Sequence, residues 1–297
     1  MKREEFDFFA DLVKRRAGYV YAPDQVYVIE SRLSRVAQRN QCGDPGQLVD
    51  LVRRAPDSDV ARDVVDALTA KDTYFFRHAE AFRCLRESVV PRIQIERTER
   101  RSLRVWSAAC VTGQEAYSVA MVLDQMAIEL TGWSIEVVGT DLNRKLIERA
   151  AKGLYNRFEV QRGLPVRMLL KFFGEAPDEQ WQVTERIRSM ITFREANLLQ
   201  PAADLGSFDL ILCRNVLGSF DAGGQAATLD RLAGALNDGG ILMLGDGEKI
   251  AGLPERFLPF EGHDGIYVRP AAARRVATPE APAVPESGAP DATQASA

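Results

Sequence analysis

Two apolar runs in this chain end where chemistry can be done. The first, Leu103 to Ser118 (LRVWSAACVTGQEAYS), reads as a buried strand, a glycine-poor turn and the start of a helix, with Glu115 in its first turn. The second, Ile135 to Asn143 (IEVVGTDLN), is a strand that closes on an acid, Asp141. An acidic residue just past the second strand of an α/β sheet can accept hydrogen bonds from both hydroxyls of a nucleoside ribose. The pairing suggests S-adenosylmethionine (SAM). A nicotinamide dinucleotide fits poorly, because the first turn lacks the G-x-G-x-x-G glycines. A third run, Phe208 to Asn215 (FDLILCRN), turns polar at its carboxyl end, at Arg214 and Asn215, where open α/β sheets place ligands. Each residue also has a plainer reading: Asp141 as a helix N-cap, Glu115 as a first-turn acid favoured by the helix dipole, Cys213 as a small core residue.

The elements that would position these residues follow from the pattern of the chain. From about 85 to 268, the strands LRVWSA, IEVVGT, MITFREANLL, FDLILCRN, GGILMLG and GIYVR alternate with helical stretches. That order implies right-handed crossovers and a mainly parallel sheet covered on both faces, an α/β Rossmann-like domain. Residues 1–70 carry Phe6, Phe9, Leu12 and Val13, then Val28, Leu33 and Val36, then Leu48, Leu51 and Val52 at helical spacing, broken at Gly18 and Gly43 to Gly46. They predict a small all-α domain. Residues 71–84 are expected to form a linker helix that contributes to the site, and residues 85–269 the sheet domain, with a small antiparallel β insert at about 172–194. The last 28 residues, 270–297, hold ten alanines and five prolines and are expected to be a disordered tail.

Composition narrows the class. The chain has 297 residues, 46% of them hydrophobic and 27% charged, enough for one sizeable core and a smaller one. A net charge of −4 speaks against bulk nucleic-acid binding, which needs a basic footprint. Four cysteines without metal-ligand spacing and two histidines make a zinc cage improbable and fit a reducing compartment. The N-terminus has no apolar leader core, and no run reaches the roughly 18 apolar residues of a membrane span. A cytoplasmic protein without membrane insertion is expected.

Six ordered motifs carry a resemblance. AKDTYFFR, RVWSAACVTGQEAYS, GTDLN, ANLL, CRNVLGSFD and a late LGDGE follow one another as TTNETxFFR, RVWSAACSTGEEPYS, GTDID, NLL, CRNVLIYFD and LGHSE do in the CheR-type chemoreceptor glutamate methyltransferases, which the chain resembles over residues 5–268. The resemblance implies SAM-dependent O-methyl transfer to glutamate side chains of methyl-accepting chemoreceptors. It also implies that Asp141 accepts the ribose hydroxyls and that Glu115 meets the cofactor's amino group. Asn197 would read the adenine edge, Leu198 would pack on the adenine face, and Arg214 and Asn215 would contact the cofactor. Thr73 and Arg77 would face the methyl donor. Methyl transfer to a carboxylate is an in-line displacement and needs no general base, since a glutamate of pKa about 4.3 is already ionised. It needs placement, and the Arg77 fork can orient the substrate or the cofactor's carboxylate.

Departures from the pattern bear on turnover. The aromatic residue near the transferring methyl is Ser219 here, which is too short to reach the same place, and Lys71 replaces an Asn and would repel a sulfonium unless it turned to solvent. These two changes motivate an alternative, a catalytically weakened regulatory protein that binds SAM or S-adenosylhomocysteine (SAH). The family docks on a receptor helical bundle through a basic helix face. Arg32, Arg35 and Arg39 share one face here, although residues 1–70 carry 11 basic against 12 acidic groups. The turn GEAPDEQW lacks a Gly-x-Gly element, so peptide tethering at the receptor's end is not expected. The family precedent implies a monomer.

Overall fold

A computed structural model describes residues 1–250 and 256–271. Four amphipathic helices come first: α1 (Arg3–Ala17), α2 (Val26–Arg39), α3 (Pro45–Arg54) and α4 (Asp59–Thr69). Their apolar faces, among them Phe9, Val13, Ile29, Leu48, Val64 and Leu68, meet in one core. Stops and starts follow local chemistry. Gly18, at φ +77°, ends α1 in the left-handed region, and Asp44 and Ser58 accept from the Gln47 and Ala61 amides to cap α3 and α4.

The expected linker helix over residues 71–84 is helical only from Ala79. Residues 70–78 run extended and then turn, because Phe76 and His78 take positive φ, 50° and 56°, which no α-helix accommodates. Phe75 is drawn instead into an aromatic cluster with Tyr155 and Phe173, at ring centroid distances of 4.9 and 5.5 Å. Helix then continues through α5 (Ala79–Cys84), a π turn (Leu85–Val89) and α6 (Val90–Glu96).

The remaining elements are β1 (Ser102–Ala108), α7 (Gln114–Gln125), β2 (Ser134–Asp141), α8 (Arg144–Lys152), β3 (Leu154–Asn156), α9 (Arg157–Gln161), α10 (Val166–Phe172), β4 (Phe173–Ala176), β5 (Gln180–Val183), α11 (Glu185–Arg188), β6 (Ile191–Glu195), β7 (Phe208–Cys213), α12 (Ala222–Ala235), β8 (Leu236–Leu244), β9 (Leu258–Pro259) and β10 (Ile266–Val268). Seven strands form one sheet in the order β6-β2-β1-β7-β8-β10-β9. The first five run parallel, and β10 and β9 close the edge antiparallel. Side chains alternate across the sheet: Leu103 and Val105 of β1 enter the layer beneath α5 to α7, while Trp106 and Ala108 enter the layer beneath α12. Successive strands wind outward from β1 to β2 and β6, and on the other side to β7 and β8. A topological switch point therefore lies between the carboxyl ends of β1 and β7.

A separate antiparallel sheet, β3-β5-β4, stands beside this one. It recruits β3, which precedes the expected insert at 172–194, because Tyr155 pairs with Trp181 across the ladder and its own ring is buried. The segment from Pro270 onward lies, after its first two residues, outside the described residues.

The amino end of the sheet is fastened by Asp209, 2% exposed on β7. One carboxylate oxygen accepts from Arg97 Nε and Asn237 Nδ2, each at 2.8 Å, and the other from the Arg104 amide at 3.0 Å. Removing a buried partner leaves an uncompensated charge, so Asp209→Ala is expected to cost about 3 kcal/mol, read as a lower urea midpoint at unchanged slope.

Candidate functional site

At the switch point lies a cleft enclosing about 900 Å³, part of it open to solvent. Its floor comes from four strand ends: Ala109 to Val111 after β1, Asp141 to Asn143 at β2, Ala196 to Leu198 after β6, and Arg214 to Val216 after β7. Several of these turns are held in conformations that non-glycine residues rarely adopt. Ala109, Val111 and Asn215 have φ of 58°, 55° and 61°, and such strain persists where the surroundings overdetermine it. Gly245 permits one of these turns: a Cβ there would stand 2.6 Å from the Asn215 amide. Glu248 fixes the same turn by accepting from the Asn215 and Gly245 amides at 2.8 Å.

Asp141 ends β2 with its carboxylate facing the cleft. Val111 N donates to Oδ2 and Asn143 N to Oδ1, both at 2.9 Å. Burial raises its pKa, against the pull of these amide donors. Asn143 takes the capping role, accepting from Leu146 N at the start of α8, so Asp141 is left to the cleft.

Glu115 does not point freely into the space. Its Oε1 accepts from Ser107 Oγ at 2.8 Å and its Oε2 from Arg214 Nη1 at 3.0 Å. The Arg214 side chain is only 1% exposed and donates through Nη2 to the Arg77 carbonyl at 2.9 Å. Arg77 donates through Nη1 to the Asp72 carbonyl at 2.8 Å. The Nε atoms of Arg77 and Arg214 are buried without a partner, and both residues line the cleft. Orphaned buried donors of this kind ask for an acceptor. Thr73 shares the wall beside Arg77.

Three expected residues stand differently from their anticipated roles. The Asn197 amide is engaged within the protein: Nδ2 donates to the Arg16 carbonyl at 2.8 Å and Oδ1 accepts from Leu199 N at 2.9 Å. Asn197 lines the cleft and locks α1 to the end of β6, with one N–H and one lone pair of its amide still uncommitted, while Leu198 presents apolar surface to the same cleft. Ser219 lies outside the wall, its hydroxyl accepting from Lys71 Nζ at 2.5 Å. Lys71 is solvent-exposed and yet lines the cleft. Its ammonium lies 5.1 Å from the Tyr19 ring centroid, within the cleft wall.

Sequence reasoning missed the contribution of the helical domain. Ala17, Tyr19, Asp66 and Thr69 all line the cleft, and Tyr19 bridges to Phe220 through its backbone. The one local signal was position: Tyr19 follows the glycine that stops α1. Burial pushes the Tyr19 phenol well above its ordinary pKa and raises the Asp66 carboxyl to about 6. The expected basic face is also rearranged. Arg32 donates to the Tyr21 hydroxyl and the Leu68 carbonyl at 3.0 and 2.7 Å, and Arg39 lies 3.8 Å from Asp63. Arg35 stays exposed.

A parallel α/β sheet, an acid at the end of β2 and a cleft at the switch point define a SAM-binding methyltransferase. The model of the CheR methyltransferase SAM-binding domain matches residues 71–266, and that of the CheR methyltransferase all-alpha domain matches residues 4–69. This chain belongs to the CheR methyltransferase family. Among its relatives, the chemotaxis protein methyltransferase Cher2 of Pseudomonas putida is 32% identical over 265 residues, covering 88% of this chain and 96% of that one. Chemotaxis protein methyltransferase 1 of Pseudomonas aeruginosa is 33% identical over 268 residues, covering 89% and 97%, and the Vibrio cholerae protein of that name is 29% identical, covering 90% and 96%. The donor set fits SAM: a carboxylate for the ribose hydroxyls, and two guanidinium groups with unpaired Nε for an anionic end.

Two outcomes follow. Asp141→Asn keeps the shape but loses the charged acceptor, so SAH affinity measured by calorimetry should fall about tenfold or more. Asp66 titrates higher in the folded chain than unfolded, so its contribution to stability is present below about pH 4 and is lost as pH rises through about 6. Asp66→Asn should therefore be the more stable protein at pH 7.5, by about 1 kcal/mol after allowance for partial exposure, with the difference closing near pH 4 in urea titrations.

Proposed function

We propose that this chain transfers the methyl group of SAM to glutamate side-chain carboxylates of methyl-accepting chemoreceptors in the cytoplasm, acting as a monomer. One observation carries the reading. Both of its domains align, in order, with almost the whole length of relatives named chemotaxis protein methyltransferases.

The site suits that chemistry. Bound SAM supplies a methyl group made electrophilic by its sulfonium. The protein's part is to hold an ionised carboxylate in line with that methyl, with no proton to remove. The Cys110 thiol and the Tyr19 phenol, both raised well above their ordinary values by burial, stay protonated. Asp141 would hold the ribose. Arg214, fixed by Glu115, sets the Arg77 backbone, and the Arg77 guanidinium with Thr73 orients an anion at the reacting end. Leu198 would pack against the adenine, and Asn215 would support the cofactor from the β7 turn.

Receptor docking would fall to the exposed face of α2, with Arg35 as its unpaired arginine among the described residues. Arg32 and Arg39 contribute less, because their guanidinium groups are engaged within the domain. The β4–β5 turn passes through Asp178 and Glu179 at positive φ with no glycine loop, which supports docking without a peptide tether. Among the described residues, no helix is long and apolar enough to cross a membrane, in keeping with a receptor approached from the cytoplasmic side.

Radiolabelled SAM incubated with chemoreceptor-bearing membranes should leave base-labile label on the receptor. Arg77→Ala should lower the rate about 100-fold with a smaller change in SAH binding. Wild-type protein that binds SAH yet transfers no label would replace this reading with a regulatory one.

A further inference from the structure

We propose that Lys71 recognises the acceptor carboxylate, with Tyr19 and Ser219 as positioning residues that hold its ammonium at the cleft. The inference rests on the methyl-transfer reading above. Three elements distant in sequence converge here: the turn after α1 supplies Tyr19, the extended segment after α4 supplies Lys71, and the turn after β7 supplies Ser219. The backbone is stitched at the same place, Val20 N donating to the Ser219 carbonyl at 2.8 Å.

The partners of Lys71 are all neutral. Its Nζ donates to the Ser219 hydroxyl at 2.5 Å and rests 5.1 Å from the Tyr19 ring centroid, contacts that steer an ammonium without cancelling its charge. An ammonium has three N–H donors, so capacity remains for an incoming acceptor. Other cations near the cleft are neutralised: Arg214 is paired with Glu115 at 3.0 Å, and Arg162 with Asp72. Among the described residues no carboxylate lies within ion-pair distance of Lys71 or Arg77. Lys71 and Arg77 thus stand in one cleft without a direct ion pair, together with the carboxylates of Asp66 and Asp141, and the cleft must also accommodate a sulfonium. Cations set against a cationic cofactor make sense where the second substrate is an anion.

The charge balance of the reaction explains why an ammonium serves at this place. A carboxylate oxygen gains the methyl carbon, the carbon–sulfur electron pair stays with sulfur, and no proton moves. The acceptor enters as an anion and leaves as a neutral ester, so attraction to Lys71 favours entry and vanishes on product formation. The same attraction discriminates a glutamate from the neutral amide of a glutamine. A point-like ammonium shared with Ser219 grips the carboxylate less rigidly than a bidentate guanidinium would, leaving its oxygen nucleophilic.

The surroundings give this role a pH signature. Lys71 is lowered from its ordinary pKa by burial first, then by Arg32 and Arg77, while Glu248 raises it. Tyr19, raised by burial, stays protonated over the working range.

The test is steady-state methyl transfer at saturating SAM, with chemoreceptor-bearing membranes depleted of endogenous methyltransferase as the varied acceptor, and with SAH calorimetry on every variant. Lys71→Met is expected to raise the acceptor KM about tenfold while SAH affinity and the KM for SAM hold or tighten. Ser219→Ala should raise the acceptor KM by a smaller factor. In the wild type the acceptor KM should climb as pH rises through the lowered lysine pKa, and Lys71→Arg, charged throughout, should abolish that climb. An acceptor KM within twofold of wild type in Lys71→Met overturns the proposal. So does loss of SAH binding in that variant, which would make Lys71 a cofactor residue, or an alkaline climb unchanged in Lys71→Arg. Wild-type protein that binds SAH and transfers nothing overturns the methyl-transfer reading, and this inference with it, before any variant is compared.

Discussion

The ion pair between Glu115 and Arg214 is the contact on which the site depends. Glu115 stands in the first turn of α7, where the helix dipole already favours a negative charge, and it also accepts from Ser107 on β1. Arg214 ends β7 and reaches on to the Arg77 carbonyl. One buried pair therefore joins the strands on either side of the switch point to the segment that carries Thr73 and Arg77. Taking an arginine to 1% exposure is costly unless its donors are met. Here Nη1 and Nη2 are met by protein while Nε is buried without a partner, in a residue that lines the cleft.

Backbone strain is concentrated around the same point. Phe76, His78, Ala109, Val111 and Asn215 all lie at positive φ without being glycine, on the three segments that the ion pair connects. The other non-glycine residues at positive φ, Gln41, Arg101, Asp178 and Glu179, lie in scattered connections. Five such residues gathered around one cleft imply a surface shaped before any ligand arrives, consistent with a reaction that calls for alignment and not for proton transfer.

The helical domain is part of the site as well as a neighbour of it. Asn197 donates to the last turn of α1, and Tyr19 and Asp66 form wall. Within that domain, Arg32 turns inward to the Tyr21 hydroxyl and the Leu68 carbonyl. The helical domain and the cofactor cleft are thereby bonded together, and Ala17 and Tyr19 line the cleft directly.

Local pattern was enough to read the alternating strands and helices, the parallel sheet, the glycine stop at Gly18, and Asp141 at the mouth of β2. Each of these depends on periodicity, on burial of an apolar strand, or on a φ that glycine adopts at little cost, all of which are properties of neighbouring residues. The motifs also placed Arg77, Thr73, Glu115, Arg214, Asn215 and Leu198 in one cleft. What the chain did not disclose was which side chain meets which. Glu115 pairs with a residue 99 positions away, Lys71 with one 148 positions away, and residues 71–78 gave up helix because Phe75 found a better burial among Tyr155 and Phe173. Those choices are made by packing and by competition for buried donors and acceptors, which exist only once distant segments are brought together.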